Sequence, residues 1–229
     1  RRLSQETWSI ERMAAVFRSS ANLVATLTLL GLAGVLICLI GWWWFSPRTD
    51  YARHVDWIVD QPVPFSHQHH VAGLGIDCRF CHTAVEVSSN AGMPPTYTCM
   101  TCHSQIWTNA RILAPVRHSL VDDKPIVWNR INDLPDYVYF NHAIHIAKGV
   151  GCSNCHGEVD RMSLTYKARS LTMRFCLDCH RNPGPNLRPK DQIYNTEWRR
   201  AADTASPENL MAEYHIGGRK LTDCSICHR

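Results

Sequence analysis

The strongest pattern along the chain is one uninterrupted apolar run. Positions 22–45 read NLVATLTLLGLAGVLICLIGWWWF and hold no charged residue. A helix of that length reaches roughly 36 Å, more than a bilayer core of about 30 Å. Trp42, Trp43 and Trp44 stand at its C-terminal end, where an apolar ring with a polar N–H favours the membrane–water interface. The preceding flank carries Arg1, Arg2, Arg12 and Arg18 against Glu6 and Glu11, and the following flank begins Ser46-Pro47-Arg48. The positive-inside bias therefore predicts a cytoplasmic segment at 1–21, a transmembrane helix at 22–45 and an extracytoplasmic remainder. A cleaved signal peptide would have a shorter apolar core followed by a small-residue cleavage site. This run is longer and ends in bulky aromatics, so an uncleaved single-pass anchor is expected. Cys38, in mid-run, reads as a small apolar residue.

Beyond residue 45 the expected elements are short. Pro183-Gly-Pro185-Asn-Leu-Arg-Pro189 reads as an extended connector. The stretch 197–213 reads as the longest downstream helix, interrupted near Pro207. Composition narrows the class: 45% hydrophobic and 19% charged residues in 229 exclude a disordered chain. A formal charge of +4, evenly spread, is too mild to argue for nucleic acid. The anomaly is 13 histidines beside 11 cysteines, which points to metal or haem.

Ten of the cysteines form five pairs, each followed by histidine. They are Cys78-Arg-Phe-Cys81-His82, Cys99-Met-Thr-Cys102-His103, Cys152-Ser-Asn-Cys155-His156, Cys176-Leu-Asp-Cys179-His180 and Cys224-Ser-Ile-Cys227-His228. Cys-x-x-Cys-His is the attachment signature of c-type haem. The two thiols add across the porphyrin vinyl groups, and the adjacent histidine is the proximal iron ligand. On this composition, five histidines after five pairs would arise by chance roughly once in a million. Zinc sites of paired Cys-x-x-Cys units do not demand a histidine after each pair, and five pairs leave one unmatched. Disulfides give no reason for the histidines either. Five covalent haems are expected, in a region that topology independently places outside the cytoplasm.

Eight histidines remain for the sixth iron positions. Phe65-Ser-His67-Gln-His69-His70 precedes Cys78, and Phe140-Asn-His142-Ala-Ile-His145 precedes Cys152. Both read Phe-x-His-x-x-His, with the last histidine 8 and 7 residues before the haem motif. The motifs within each half lie 21 and 24 residues apart. This predicts a duplicated two-haem module, with the fifth motif appended and Tyr214-His215 as a partial third copy. His67, His70, His142, His145 and His215 are then five distal candidates for five irons. Positions i and i+3 lie side by side on a helix, so the two histidines of a pair should serve neighbouring irons. The first would return to its own module's haem and the second would reach an adjacent one. His54 reads as solvated, His69 as a surface or propionate-contacting residue, and His118 as a weaker ligand candidate. Met93 reads as packing. Met162 and Met173, shortly before the fourth motif, are alternative distal candidates, because methionine ligation raises a haem potential.

From Phe65 onward 165 residues must hold five porphyrins, or 33 per haem. Haems would therefore form the core, wrapped by short helices and irregular chain with little sheet. The expected organisation is an anchor at 22–45, a linker at 46–64 and a pentahaem cytochrome c domain at 65–229. Its modules lie near 65–110 and 140–190, and its fifth haem at 214–229.

The Phe-x-His-x-x-His element before Cys-x-x-Cys-His resembles class III multihaem cytochromes. The anchor, PFSHQHHVAGLGIDCRFCHTAVE, AGMPPTYTCMTCHSQIW, LPDYVYFNHAIHIAKGVGCSNCHG and MRFCLDCHRNPGPNLRP look like the pentahaem cytochrome c subunits of alternative complex III. The likeness covers about residues 20–190 and the last haem motif. It implies a non-catalytic electron-transfer subunit of a membrane-bound quinol:electron-acceptor oxidoreductase in a respiratory or photosynthetic chain. The implied partners are a polytopic quinol-binding membrane subunit, an iron–sulfur subunit and a monohaem cytochrome c subunit, with membrane lipid around the anchor. The implied acceptor is a periplasmic cytochrome or cupredoxin, or a terminal oxidase. Some members have one His/Met haem.

Two other function classes fit the motifs less well. A multihaem reductase needs an iron with a vacant site, and the resembling enzymes replace histidine by lysine in one motif. All five motifs here end in histidine. A quinol dehydrogenase of the nitrate/nitrite-reductase type has four haems, which fits five motifs less well. The charge also changes on loading. Residues 46–229 carry 20 basic and 18 acidic side chains. Haem propionates and ferric irons bring this to about −3 oxidised, and reduction to about −8, which would steer a basic acceptor.

Overall fold

The computed structural model describes residue 18 and residues 20–201, 204–217 and 220–228. The predicted cytoplasmic segment 1–21 falls almost wholly outside them. The chain divides into two units, 1–52 and 53–229.

In the first unit, α1 (Ser20–Phe45) is one 26-residue helix with no buried residue, and it is long and apolar enough to cross a membrane. A 3-10 turn, Ser46–Arg48, follows it with Pro47 near its start. The Arg48 guanidinium caps the helix by donating to the Trp44 carbonyl, and it lies 4.1 Å over the Trp44 ring. A cation near a helix C-terminus complements the carbonyl dipoles there.

The second unit is built of short helices joined by irregular chain. They are α2 (Cys78–Cys81), α3 (Thr96–His103), α4 (Ala114–Val121), α5 (His142–Ala147), α6 (Cys152–His156), α7 (Met173–Arg181), α8 (Pro207–Glu213) and α9 (Cys224–Cys227). Local chemistry sets their starts. Asp77, Asn141, Thr172 and Ser206 each accept a backbone N–H of the first turn of α2, α5, α7 and α8, which satisfies a donor that the helix leaves orphaned. α6 stops at Gly157, whose φ of 72° suits glycine. A Cβ at Gly157 would also meet the Ala168 Cβ at 2.6 Å. Among the described residues the only β pairing is three isolated bridges, Val55 with Lys167, Ile58 with Tyr166 and Val150 with Leu187. The fold is helical and irregular with almost no strand, as the sequence predicts.

Two segments differ from the sequence reading. The 183–189 stretch is not an extended connector: Gly184–Asn186 forms a 3-10 turn, and Leu187 is fully buried. The 197–213 helix reduces to α8. Pro207 begins that helix at a position where its missing N–H costs nothing, and Ser206 caps it. The chain before it is held by side chains instead. Arg199 bonds Glu158, and Arg200 bonds the carbonyls of Leu187 and Ala205. Residues 53–64 belong to the second unit, where Gln61 and Asn129 exchange hydrogen bonds and Asp56 N–H donates to the Lys167 carbonyl.

The protein core is small. Among the described residues nine hydrophobic side chains are buried, six of them in two clusters. Val63, Leu113 and Val116 pack with Cys99, Met100 and Trp128 behind α3 and α4. Leu187, Leu210 and Tyr214 pack with Val150, Met211 and Ile216. Large apolar side chains such as Phe80, Tyr97, Ile106, Trp107, Tyr137 and Ile144 are half or more exposed. A unit of this size ordinarily buries many more, so the protein atoms alone leave apolar surface that bound groups must cover.

Candidate haem sites

All five Cys-x-x-Cys-His motifs lie on helical turns: on α2 and α9, within α3 and α7, and as α6. A single turn puts residues i and i+3 on one face, so each cysteine pair presents both sulfurs to one side. None of the ten thiols is in a disulfide. Burial pushes the Cys152 thiol up to about 12 and the Cys155 thiol up to about 11. These cysteines are therefore poor thiolates and weak ligands for a free metal ion. Among the described residues no cluster of three or more His, Cys, Asp and Glu side chains is arranged to hold a metal ion.

The motifs follow one another in space in an order that differs from the chain. After burial, the strongest influence on the Cys81 thiol is Cys99, on Cys152 it is Cys78, on Cys155 it is Cys179, and on Cys176 it is Cys227. The order is therefore second, first, third, fourth, fifth. Backbone contacts agree with it. His180 bonds Leu221 just before the fifth motif, and His142 bonds Ser89 after the first.

The motif histidines share one hydrogen-bonding habit. Nδ1–H of His82, His103, His180 and His228 donates to the carbonyl of Gly92, Ile106, Leu221 and Tyr137 respectively. The distal candidates His70, His142 and His145 do the same with Ser66, Ser89 and Asn141. His67 Nδ1 meets the Thr165 hydroxyl at 2.9 Å. His156 Nδ1 lies 3.2 Å from the Asn132 amide, whose own oxygen is buried without a partner. Turning that amide over lets its oxygen accept Nδ1–H. A proton fixed on Nδ1 leaves the Nε2 lone pair for a metal, the usual device for orienting a metal-binding imidazole.

Six of these rings form three opposed pairs. His142 faces His156 with centroids 6.3 Å apart and planes 7° from parallel. His145 faces His180 at 6.1 Å and 31°. His70 faces His103 at 6.3 Å and 66°. Two metal–nitrogen bonds of about 2 Å, with ~1.2 Å from each nitrogen to its ring centre, put opposed centroids about 6.4 Å apart. The spacing, the fixed Nδ1 protons and the one-sided cysteine pairs fit a haem between the rings of each pair. Burial, helped by the neighbouring imidazoles, depresses His67 and His156 to about 4 and lowers His145. These rings stay neutral, the form that binds a metal.

Phe65 and Phe140 repeat one local arrangement. Phe65 meets His67 edge-on at 4.9 Å and 87° and stacks on His70 at 4.3 Å and 25°. Phe140 meets His142 at 4.7 Å and 87° and stacks on His145 at 4.5 Å and 29°. The sequence showed the motif but not this role for its phenylalanine.

The remaining candidates are placed differently. His67 is half-buried, and His82 is the imidazole that most lowers its pKa after burial. His215 is exposed in the left-handed region at φ 52°, and among the described residues its ring makes no hydrogen bond, ion pair or aromatic stack. The ring stacked on His228 is Tyr137, at 5.8 Å. His118 is exposed and lines a surface hollow of about 380 Å³ with Asp122 and Lys124. His54 stacks on Trp57, and His69 on Trp107. Met162 is buried against Gly157, whereas Met173 and Met93 are exposed.

Five Cys-x-x-Cys-His turns, few buried apolar residues and opposed imidazoles define the class as a multihaem cytochrome c. No family model matches the chain. Over 199 residues it is 35% identical to the multiheme cytochrome c subunit of menaquinone reductase from Nitratidesulfovibrio vulgaris, covering 85% of this chain and 78% of that one. The chain belongs to this family of multihaem cytochrome c subunits and carries covalent c-type haem.

Proposed function

We propose that this protein is the membrane-anchored, five-haem electron-transfer subunit of a quinol:electron-acceptor oxidoreductase of the alternative complex III type. The observation that carries the reading is the set of three imidazole pairs spaced 6.1–6.3 Å apart on the attachment motifs. Haem ligated on both faces supplies outer-sphere one-electron transfer and offers no open position to a substrate. The chain's residues do the rest. Cys78 with Cys81, Cys99 with Cys102, Cys152 with Cys155, Cys176 with Cys179 and Cys224 with Cys227 tether five groups. His82, His103, His156, His180 and His228 hold one face of each. His67, His70, His142, His145 and His215 hold the other, paired in that order with the first, second, third, fourth and fifth motifs. α1 serves as the anchor with the N-terminus in the cytoplasm and the haem domain in the periplasm.

The expected partners are a polytopic quinol-binding subunit, an iron–sulfur subunit and a monohaem cytochrome c subunit. Electrons would leave to a periplasmic cytochrome, a cupredoxin or a terminal oxidase. A second reading reverses the direction, with electrons entering at the periplasmic face and reducing quinone, and the relative's name as a menaquinone reductase subunit favours it. Purifying the native complex from membranes decides between them. Quinol-driven reduction of a soluble acceptor supports the first, and donor-driven quinone reduction supports the second.

His215 carries its own test. His215→Ala is expected to leave the fifth haem attached through Cys224 and Cys227 and to turn that one haem high-spin and cyanide-binding. Five low-spin haems in the variant would move the assignment to His118, Met162 or Met173.

A further inference from the structure

We propose that Thr165 is a positioning residue that acts through His67 to set the redox potential of the first haem, holding it above the value that a carbonyl oxygen in the same place would give. The proposal rests on the pairing of His67 with the first motif given above.

His67 and His142 hold the same place in the two modules. Each stands two residues after its phenylalanine and meets that ring edge-on, at 87° in both halves. Their Nδ1 partners differ. His142 Nδ1–H donates to the Ser89 carbonyl at 2.8 Å, and His70 and His145 also use carbonyls, those of Ser66 and Asn141. His67 Nδ1 instead meets the Thr165 hydroxyl at 2.9 Å, across 98 residues of chain. Thr165 lies between the third and fourth motifs, on a segment that backbone contacts pin on both sides. Before it, the carbonyl of buried Met162 accepts the N–H of Gln68, the residue next to His67. After it, Tyr166 and Lys167 bridge to Ile58 and Val55, and the Lys167 carbonyl accepts the Asp56 N–H. The half-buried hydroxyl is thus delivered to His67 by backbone fixed on either side.

The consequence follows from the chemistry of the acceptor. A ring that binds iron through Nε2 carries its proton on Nδ1, so the Thr165 oxygen must accept and its own proton points elsewhere. Amide resonance puts more negative charge on a carbonyl oxygen than a hydroxyl oxygen carries. Thr165 therefore polarises the His67 N–H less than Ser89 polarises that of His142. Hydrogen bonding at the outer nitrogen raises the basicity of a ligating imidazole. A more basic axial ligand favours ferric over ferrous iron, which makes such bonds a lever on haem potential. The weaker acceptor at His67 leaves the first haem easier to reduce. The first motif stands between the second and the third in space, so electrons moving along the row cross the site that Thr165 sets.

The test is potentiometric titration of the full-length, haem-loaded protein in detergent, followed optically and by the low-spin ferric resonance signals. Thr165→Val keeps the side-chain shape and removes the acceptor, and one of the five midpoint potentials is expected to rise. Thr165→Asn supplies an amide oxygen, the acceptor type that Asn132 offers His156, and the same midpoint is expected to fall. Thr165→Ser keeps the hydroxyl and is expected to match wild type. All five haems should stay low-spin in the three variants. A role in packing alone gives no pair of opposite shifts. Midpoints that stay put in Thr165→Val and Thr165→Asn, or that move the same way in both, would overturn the proposal and leave the ligand assignment standing. His67→Ala reads that assignment separately. One haem turning high-spin supports it, and five low-spin haems would overturn it together with the proposal.

Discussion

Arg188→Met is expected to lower the stability of the haem-loaded protein by about 3–5 kcal/mol and its melting temperature by roughly 10 °C. Arg188 is 5% exposed, and burying a charge is costly unless its donors are used. Its guanidinium donates to the Asn195 carbonyl, the Ser153 hydroxyl and the Asn154 amide oxygen. Ser153 and Asn154 are the two residues between Cys152 and Cys155, so this arginine holds the third haem-attachment turn from behind. Its own carbonyl accepts the Tyr214 hydroxyl, and its N–H donates to Gly149. The packing leaves no slack. A Cβ at Gly151 would come within 2.4 Å of the guanidinium, and one at Gly149 within 2.3 Å of the Tyr214 ring. Methionine fills similar volume but leaves three part-buried acceptors without a donor, each costing about 1–3 kcal/mol. Thermal unfolding followed by Soret circular dichroism checks this. A shift of less than 2 °C would mean that the arginine does not anchor the turn.

The second large effect is expected at His142. His142→Ala should convert one haem from low-spin to high-spin and open it to cyanide, with the other four unchanged. The ring it faces, His156, has its Nδ1 beside the Asn132 amide, burial pushes its pKa down to about 4, and the two planes are almost parallel. Among the described residues no other aromatic ring is stacked on His156. His69→Ala, on the same type of segment but exposed, should leave every iron six-coordinate. Optical titration with cyanide reads both variants, and five low-spin haems in His142→Ala would break the pairing with His156.

Much of the architecture was legible because its signals are local. An apolar run without charge specifies α1 within two residues of its observed start. The spacing of cysteine and histidine specifies five turns, and the Phe-x-His-x-x-His repeat specifies two modules whose aromatic geometry matches. What escaped has no local signal. The acceptors that fix the rings, Ser89 for His142 and Leu221 for His180, come from 53 and 41 residues away and are carbonyls, which any residue supplies. Arg188 looked like part of a proline-rich connector because its partners are polar side chains 34 and 35 residues upstream. The 197–213 helix was overread because residues 197–201 are held by arginine contacts to distant carbonyls and Glu158, which compete with the helix.

The spatial order of the motifs gives the proposed pathway two distinct ends. The second motif lies at one end, beside exposed Ile106 and Trp107. The fifth lies at the other, where Tyr137 stacks on His228 and the Tyr139 N–H donates to the Cys227 carbonyl.

The central claim is that five haems are covalently held by one chain. The most direct measurement is a pyridine haemochrome assay on purified protein against a protein concentration from amino-acid analysis, after extraction with acidified acetone. The account predicts about five haems per chain, all retained by the protein. Three or fewer, or haem that passes into the acetone, would contradict it.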